Sequence, residues 1–249
     1  MFSPVRALAL FFLVSTAQFA LLAQAPQPSV DPKLTVERIF ASPEFRPERF
    51  GGFQWLKDGN SYAKFEPSEK AKDALDLVRY DIETSKRDVI LSADKLIPAG
   101  ETKPLDIDGY DWSADEKRVL IYTNSQKVWR QNTRGDYWVL DIASGKLTKL
   151  GGDAKPAALM FAKFSPDGTK VGYVRENDLY VDDVASGKIT RLTKDGSHTL
   201  INGTSDWVNE EEFDLRDCWR WSPDSKSIAF WQFDASGIED FVLLNNTTG

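Results

Sequence analysis

Apolar and polar residues alternate in short runs along most of the chain, the period-two signature of strands that bury one face. Four of these runs open in the same way: WLKDGNSYAKF from Trp55, WSADEKRVLIY from Trp112, FSPDGTKVGYV from Phe164 and WSPDSKSIAFW from Trp221. Each sets an aromatic before a tight polar turn and continues as an alternating strand, as a β-hairpin with a buried face requires. The opening aromatics recur at intervals of 57, 52 and 57 residues. A second marker follows each first: YDIETSKRDVIL from Tyr80, LDIASGKLTKL from Leu140, VDDVASGKITRL from Val181 and LLNNTTG from Leu243. These read as strand, Ser-Gly or Thr-Gly turn, strand, so each unit holds about four antiparallel strands in roughly 50 residues.

A four-stranded sheet cannot cover both of its faces alone, and stacking such units radially buries them. The pattern therefore predicts an all-β protein, a partial β-propeller of four-stranded antiparallel blades near 50–98, 105–152, 157–195 and 218–249. The fourth unit reaches Gly249 inside the turn where the others begin their last strand. Two arrangements follow: a four-bladed ring closed by an alternating strand over Leu34 to Phe40, or the opening three and a half blades of a larger ring. Four-bladed rings use shorter, more uniform repeats, which favours the second.

Two segments lengthen the repeat, and function is sought in such departures. Gln126 to Asp136, QKVWRQNTRGD, stretches the distance between markers to 33 residues in the second unit, against 23 in the third. His198 to Cys218 separates the third and fourth units and contains SDWVNEEEFD, Ser205 to Asp214. Glu66 to Ala74, EPSEKAKDA, reads as a solvated loop or helical turn without chemistry.

Composition narrows the classes. With 41% hydrophobic and 12% aromatic residues, the chain can bury a sizeable core. A net charge of −7, with 31 basic residues scattered along the sequence, argues against a nucleic-acid partner. Residues 1–25 pair Arg6 with an uncharged stretch from Ala7 to Leu22, the form of a secretory signal peptide, and Ala23-Gln24-Ala25 is one candidate small-residue cleavage motif, followed directly by Pro26. That stretch is short for a spanning helix, so export to the periplasm or beyond is expected rather than a stable membrane span. Residues 26–33 form a Pro-containing flexible lead, and 34–249 the propeller region. Cys218 is the sole cysteine, so no disulfide forms within the chain; beside aromatics it reads as a small buried hydrophobe.

Three adjacent glutamates, Glu210, Glu211 and Glu212, either stand in open solvent or are held for a cation. Charge runs usually mark a solvated face. Against that, Trp207, Val208 and Phe213 are placed to anchor the segment into the protein. No Asp-x-Asp-x-Asp-Gly loop supports a metal, and no metal or other cofactor is expected. A ligand ammonium suits paired carboxylates better, because it donates charge-assisted hydrogen bonds to two of them. In the other insertion Arg130 and Arg134 are cations, and Trp129 gives Arg130 an apolar support that makes it the better fixed donor. There is no G-x-S-x-G elbow, no H-E-x-x-H, and one histidine, His198, so no catalytic residue is assigned.

SDWVNEEEF followed by WRWSPDSKSIAFWQFD resembles the N-terminal propeller of dipeptidyl peptidase IV-like serine peptidases, within the prolyl oligopeptidase group. VWRQ at Val128 to Gln131, SADEKRVLIY from Ser113 and FSPDGTKVGYVRENDLYV from Phe164 resemble the same family in the same order. The acidic motif is the specific part, since SPDG repeats occur in many periplasmic propellers. The resemblance implies that Glu211 and Glu212 bind the α-ammonium of a peptide substrate with a free N-terminus, that Arg130 contacts the neighbouring carbonyl, and that dipeptides are released, commonly after proline. It implies an eight-bladed ring, a following α/β-hydrolase domain with the Ser-Asp-His triad, and a homodimer among the assemblies open to the full-length protein. Asn209 departs from the tyrosine usual in the family. Two alternatives are a non-enzymatic binding propeller related to TolB and an endopeptidase or acylaminoacyl peptidase of the same group.

Overall fold

The computed structural model describes residues 33–47, 50–239 and 241–247, so the signal-peptide segment 1–25 and all but Lys33 of the 26–33 lead lie outside the described residues. The chain divides into two compact units, Met1–Phe50 and Gly51–Gly249. In the first, the residues expected as a strand form a short helix, α1 (Val36–Phe40). Thr35 decides this: its Oγ1 accepts the N–H of Arg38 at 3.1 Å, capping the turn. Over so short a run a cap outweighs alternation, and the strand proposed to close a four-bladed ring is not formed there.

In the second unit, β1 (Phe53–Trp55), β2 (Ser61–Pro67), β3 (Leu75–Asp81) and β4 (Arg87–Leu91) pair in chain order as an antiparallel sheet. After a 3-10 turn at Ala93–Leu96, β5 (Ile107–Trp112), β6 (Arg118–Val128), β7 (Gln131–Asp141) and β8 (Leu147–Lys149) repeat the pattern. So do β9 (Leu159–Phe164), β10 (Lys170–Arg175), β11 (Asp178–Asp183) and β12 (Ile189–Arg191). The second and third sets are not separate sheets, because β7 also pairs with β9 at Gly135 and Leu159, joining eight strands. β7 is 11 residues long, and the added half that extends the hairpin includes Gly135, where β9 pairs.

The last unit departs further. β13 (Leu200–Asn202) precedes α2 (Trp207–Phe213), β14 (Trp219–Trp221), β15 (Ile228–Phe230) and β16 (Gln232–Asp234); β14 pairs with β15 and β13 with β16. The strand expected from Leu243 is not formed, and among the described residues none follows β16. A strand needs a neighbour for its N–H and C=O groups, and Phe241, Val242, Leu243 and Leu244 are exposed. Among the described residues no helix is long and apolar enough to cross a membrane.

Local turn chemistry explains the repeat. In the first marker a serine hydroxyl donates to the aspartate two residues on: Ser113 to Asp115 at 2.7 Å, Ser165 to Asp167 at 2.6 Å and Ser222 to Asp224 at 2.6 Å. These bonds, with backbone N–H donors, pull the Asp167 carboxyl down to about 2. In the second marker Asp81, Asp141 and Asp183 each accept the N–H and hydroxyl of Thr84, Ser144 and Ser186.

The inner strands are buried on both faces. Val119 and Ile121 pack with Leu56, Ala63, Leu77 and Leu140 of the first and second strand sets. Leu120, between them, faces Leu159, Val171 and Tyr173 of the third. Met160, Val174 and Leu179 of the third then meet Trp219 of the fourth. Each set is thus a layer covered by its successor. Trp219 approaches so closely that a Cβ on Gly172 would lie 2.7 Å from its ring. Beside it Lys163 Nζ sits 4.0 Å from the centre of the Trp219 ring and 2.5 Å from Asp217 Oδ1. Burial pulls this ammonium down to about 8, against the opposing charge of Asp217.

Two outcomes follow for stability. Gly172→Ala forces a methyl into the Trp219 ring and should destabilise by about 1–3 kcal/mol in urea unfolding. Because the folded pKa of Lys163 lies below its unfolded value, the unfolded chain binds more protons between about pH 8 and 10, so this group makes stability rise with pH across that window. Unfolding measured against pH should show the rise, and Lys163→Met should flatten it.

Candidate functional site

The two insertions meet. Gln126 to Asp136 extends β6 and β7 into a long hairpin, whose ladder runs through Val128 and Gln131 to a two-residue turn at Trp129 and Arg130. Near its base Gly135 lets β7 pass Tyr122 and the Thr123 carbonyl, where a Cβ would lie 2.3 and 2.7 Å away. The acidic stretch of the other insertion is helical. Asp206 caps α2, its Oδ1 accepting the Asn209 N–H and Nδ2 at 2.9 Å each. Asn209, the departure from the family pattern, thus braces the cap. Asp214 ends the helix in the left-handed conformation.

The three glutamates have different surroundings. Glu210 is the buried residue of α2, and its Oε2 lies 3.1 Å from Arg216 Nε, with side-chain exposures of 2% and 9%. Glu211, 11% exposed, pairs through Oε1 with Nε of Arg130, which is 75% exposed. Glu212 faces solvent, with no ion pair among the described residues. Gln131 Nε2 donates to Asp214 Oδ1 at 3.2 Å, a further link between hairpin and helix. The structure therefore brings Arg130 to Glu211 and leaves Glu212 outside that contact.

Two expectations are corrected. Trp207, Val208 and Phe213 do not anchor the segment: they are 50%, 50% and 71% exposed. Polar links hold it instead, with Thr204 Oγ1 donating to the Arg216 carbonyl and Ser205 Oγ to the Leu215 carbonyl. Nor does Trp129 support Arg130. Its ring carries the guanidinium of Arg216, 4.2 Å from the ring centre, because adjacent turn residues project in different directions. Arg216 also donates from Nη1 to the Ser205 carbonyl. Burial pulls this guanidinium below its ordinary value, and the Glu210 carboxylate opposes that shift. Sequence reasoning missed Arg216; its position soon after three acids was the only local signal.

A cleft of about 540 Å³ lies beside the cross-link, lined by Trp129, Arg134, Lys155, His198, Asp206 and Arg216 among others. Arg130, Glu211 and Glu212 are not in its lining. Cys218 is buried, and burial pushes its thiol up, in keeping with a packing role. What the site offers chemically is carboxylate oxygen next to a solvent-facing guanidinium, a combination with the charge and donors to match a cation adjoining a hydrogen-bond acceptor.

The dipeptidyl peptidase IV N-terminal region matches residues 113–249. A probable dipeptidyl-aminopeptidase B of Aspergillus clavatus is 37% identical over 139 residues, 55% of this chain and 15% of that protein. Dipeptidyl aminopeptidase B of Saccharomyces cerevisiae is 33% identical over 162 residues, 64% of this chain and 19% of that protein. The chain spans less than a fifth of the length of these relatives. Among solved structures, dipeptidyl peptidase 4 of Porphyromonas gingivalis superposes with a TM-score of 0.70 at 25% identity, covering 82% of this chain and 28% of that one.

Glu210 and Glu212 should separate sharply by stability. Glu210→Ala leaves the Arg216 charge buried without its partner and should cost about 3–5 kcal/mol. Glu212→Ala, at an exposed position, should stay within about 0.5 kcal/mol, both read by chemical denaturation.

Proposed function

Because the chain belongs to the dipeptidyl peptidase IV N-terminal family, we propose that it is the substrate-recognition part of a serine exopeptidase that removes dipeptides from peptides with a free N-terminus. The observation that carries this reading is the meeting of Arg130 with Glu211 at the junction of two insertions that are far apart in sequence. A substrate ammonium would be held by Glu211 and Glu212, and the exposed Arg130 side chain would turn its guanidinium to the adjacent peptide carbonyl. Because Arg130 is solvent-facing, its guanidinium can leave Glu211 for water as a substrate cation takes its place, so the enclosed carboxylate keeps a cation throughout. A site that fixes the terminal ammonium also fixes how far along the peptide the scissile bond lies, which accounts for release of short, constant fragments.

In this reading the stacked antiparallel sheets are the first three and a half blades of an eight-bladed propeller. The nucleophile belongs to an α/β-hydrolase domain following it, and residues 1–25 direct export. The layered packing and the superposition on the Porphyromonas gingivalis enzyme support the propeller assignment.

The test is kinetic and uses the full-length gene product. Glu211→Gln and Glu212→Gln each remove a charge-assisted bond worth on the order of 1.5–3 kcal/mol and should lower kcat/KM for Ala-Pro substrates by about 10- to 150-fold. Acetylating the substrate amine should produce a comparable loss in the wild type and little further loss in the variants. Wild-type rates from both glutamine variants would reject the ammonium clamp.

A further inference from the structure

Arg216 touches three parts of the site at once. Its Nε lies 3.1 Å from the Glu210 carboxylate inside α2 as an ion pair, its Nη1 donates to the Ser205 carbonyl ahead of the helix, and its guanidinium carbon lies over the Trp129 ring at the hairpin tip. The residues next to its partners are the recognition pair: Arg130 follows Trp129, and Glu211 follows Glu210. The same two backbone segments are therefore joined inside through Arg216 and outside through Arg130 with Glu211 and Gln131 with Asp214.

The turn supplies a second, independent observation. Trp129 adopts φ +54°, a left-handed conformation that costs a bulky residue free energy and that glycine or asparagine would take readily. Such strain persists where surrounding contacts over-determine it. A two-residue hairpin turn demands this conformation of its first residue, and the bulky ring is accommodated there against the Arg216 guanidinium, for which it provides the face that solvent would otherwise occupy. Arg130 is 75% exposed, so its screened ion pair contributes little to holding the turn in place.

We propose that Arg216 is a positioning residue: clamped between Glu210 and Trp129, it sets the hairpin tip against α2 and so fixes Arg130 relative to Glu211, with Glu210 serving as its counter-ion and not as a substrate ligand. The proposal rests on the reading of Arg130 and Glu211 as recognition residues, and its test separates the two. Lysine at this position keeps a charge for Glu210 but loses the planar group that lies on the ring.

Hydrogen exchange on the full-length protein reads the clamp without substrate. In Arg216→Met the amides of 126–134 should exchange about tenfold faster or more, while β9 to β11 keep their protection. Trp129→Leu, which leaves the Glu210 to Arg216 pair in place, should loosen the same amides and decides the matter if Arg216→Met does not fold. Arg216→Lys should fall between. In parallel, KM for free-amine dipeptidyl substrates should rise about five- to tenfold in Arg216→Met and Trp129→Leu with kcat within about twofold. Wild-type protection of the hairpin in the variants overturns the positioning role, whatever the kinetics. A loosened hairpin with unchanged KM upholds the positioning role and overturns the recognition reading.

Discussion

A small antiparallel sheet has two faces and no means of covering both, and the rest of this structure answers that constraint. Along β6, Val119 and Ile121 point to one neighbour and Leu120 to the other, so each strand set is core for two layers at once. Specific close approaches then fix the spacing of layers, as where Trp219 rests on a glycine that has no side chain to give. Because the layers are held by their inner strands, the outer ends of a strand pair can grow without disturbing them. The β6 to β7 hairpin is such an outgrowth.

What the outgrowth meets is held by charge rather than by apolar packing. The α2 segment leaves its large apolar side chains exposed and buries a carboxylate and a guanidinium. A buried ion pair is an expensive way to join two segments, and a hydrophobic pair of the same volume is often as stable. It differs in tolerance: an apolar contact accepts a slide of a fraction of an ångström, whereas a guanidinium facing a carboxylate, a carbonyl and an aromatic ring has few acceptable positions. A site meant to hold a small charged group at a set distance from a second donor gains from that restriction.

The repeat was legible because its causes are local. Ser-x-Asp turns and Asp-to-Ser or Thr turns form bonds within three residues, and alternation marks the strands between them. The two insertions were legible as departures from that regularity, and Arg130 and Glu211 as members of them. Other features depend on contacts that sequence spacing does not contain. The Thr35 cap turned an alternating run into a helix. Leu243 and its neighbours have strand-like residues but no strand beside them among the described residues. The helical state of the acidic stretch had a local sign, Asp206 three residues before Asn209, that its charge run obscured. Arg216 had none beyond proximity, since its partners lie 6 and 87 positions away.

The run of three glutamates is the clearest case of a pattern whose meaning depends on the backbone beneath it. As an extended segment it would be three like charges in conflict. As a helix it turns about 100° per residue, so consecutive side chains leave in three directions. Glu210 goes inward to Arg216, Glu211 sideways to Arg130, and Glu212 out to water. Repulsion between neighbours is relieved by dispersal and by a cation at each of the two enclosed positions. One residue type, repeated without interruption, thereby serves as an internal counter-ion, as one half of a contact between insertions, and as a free carboxylate beside it. Composition sees three equal acids; the helix makes them unequal, and that inequality is what gives the segment a direction from which a cation can approach.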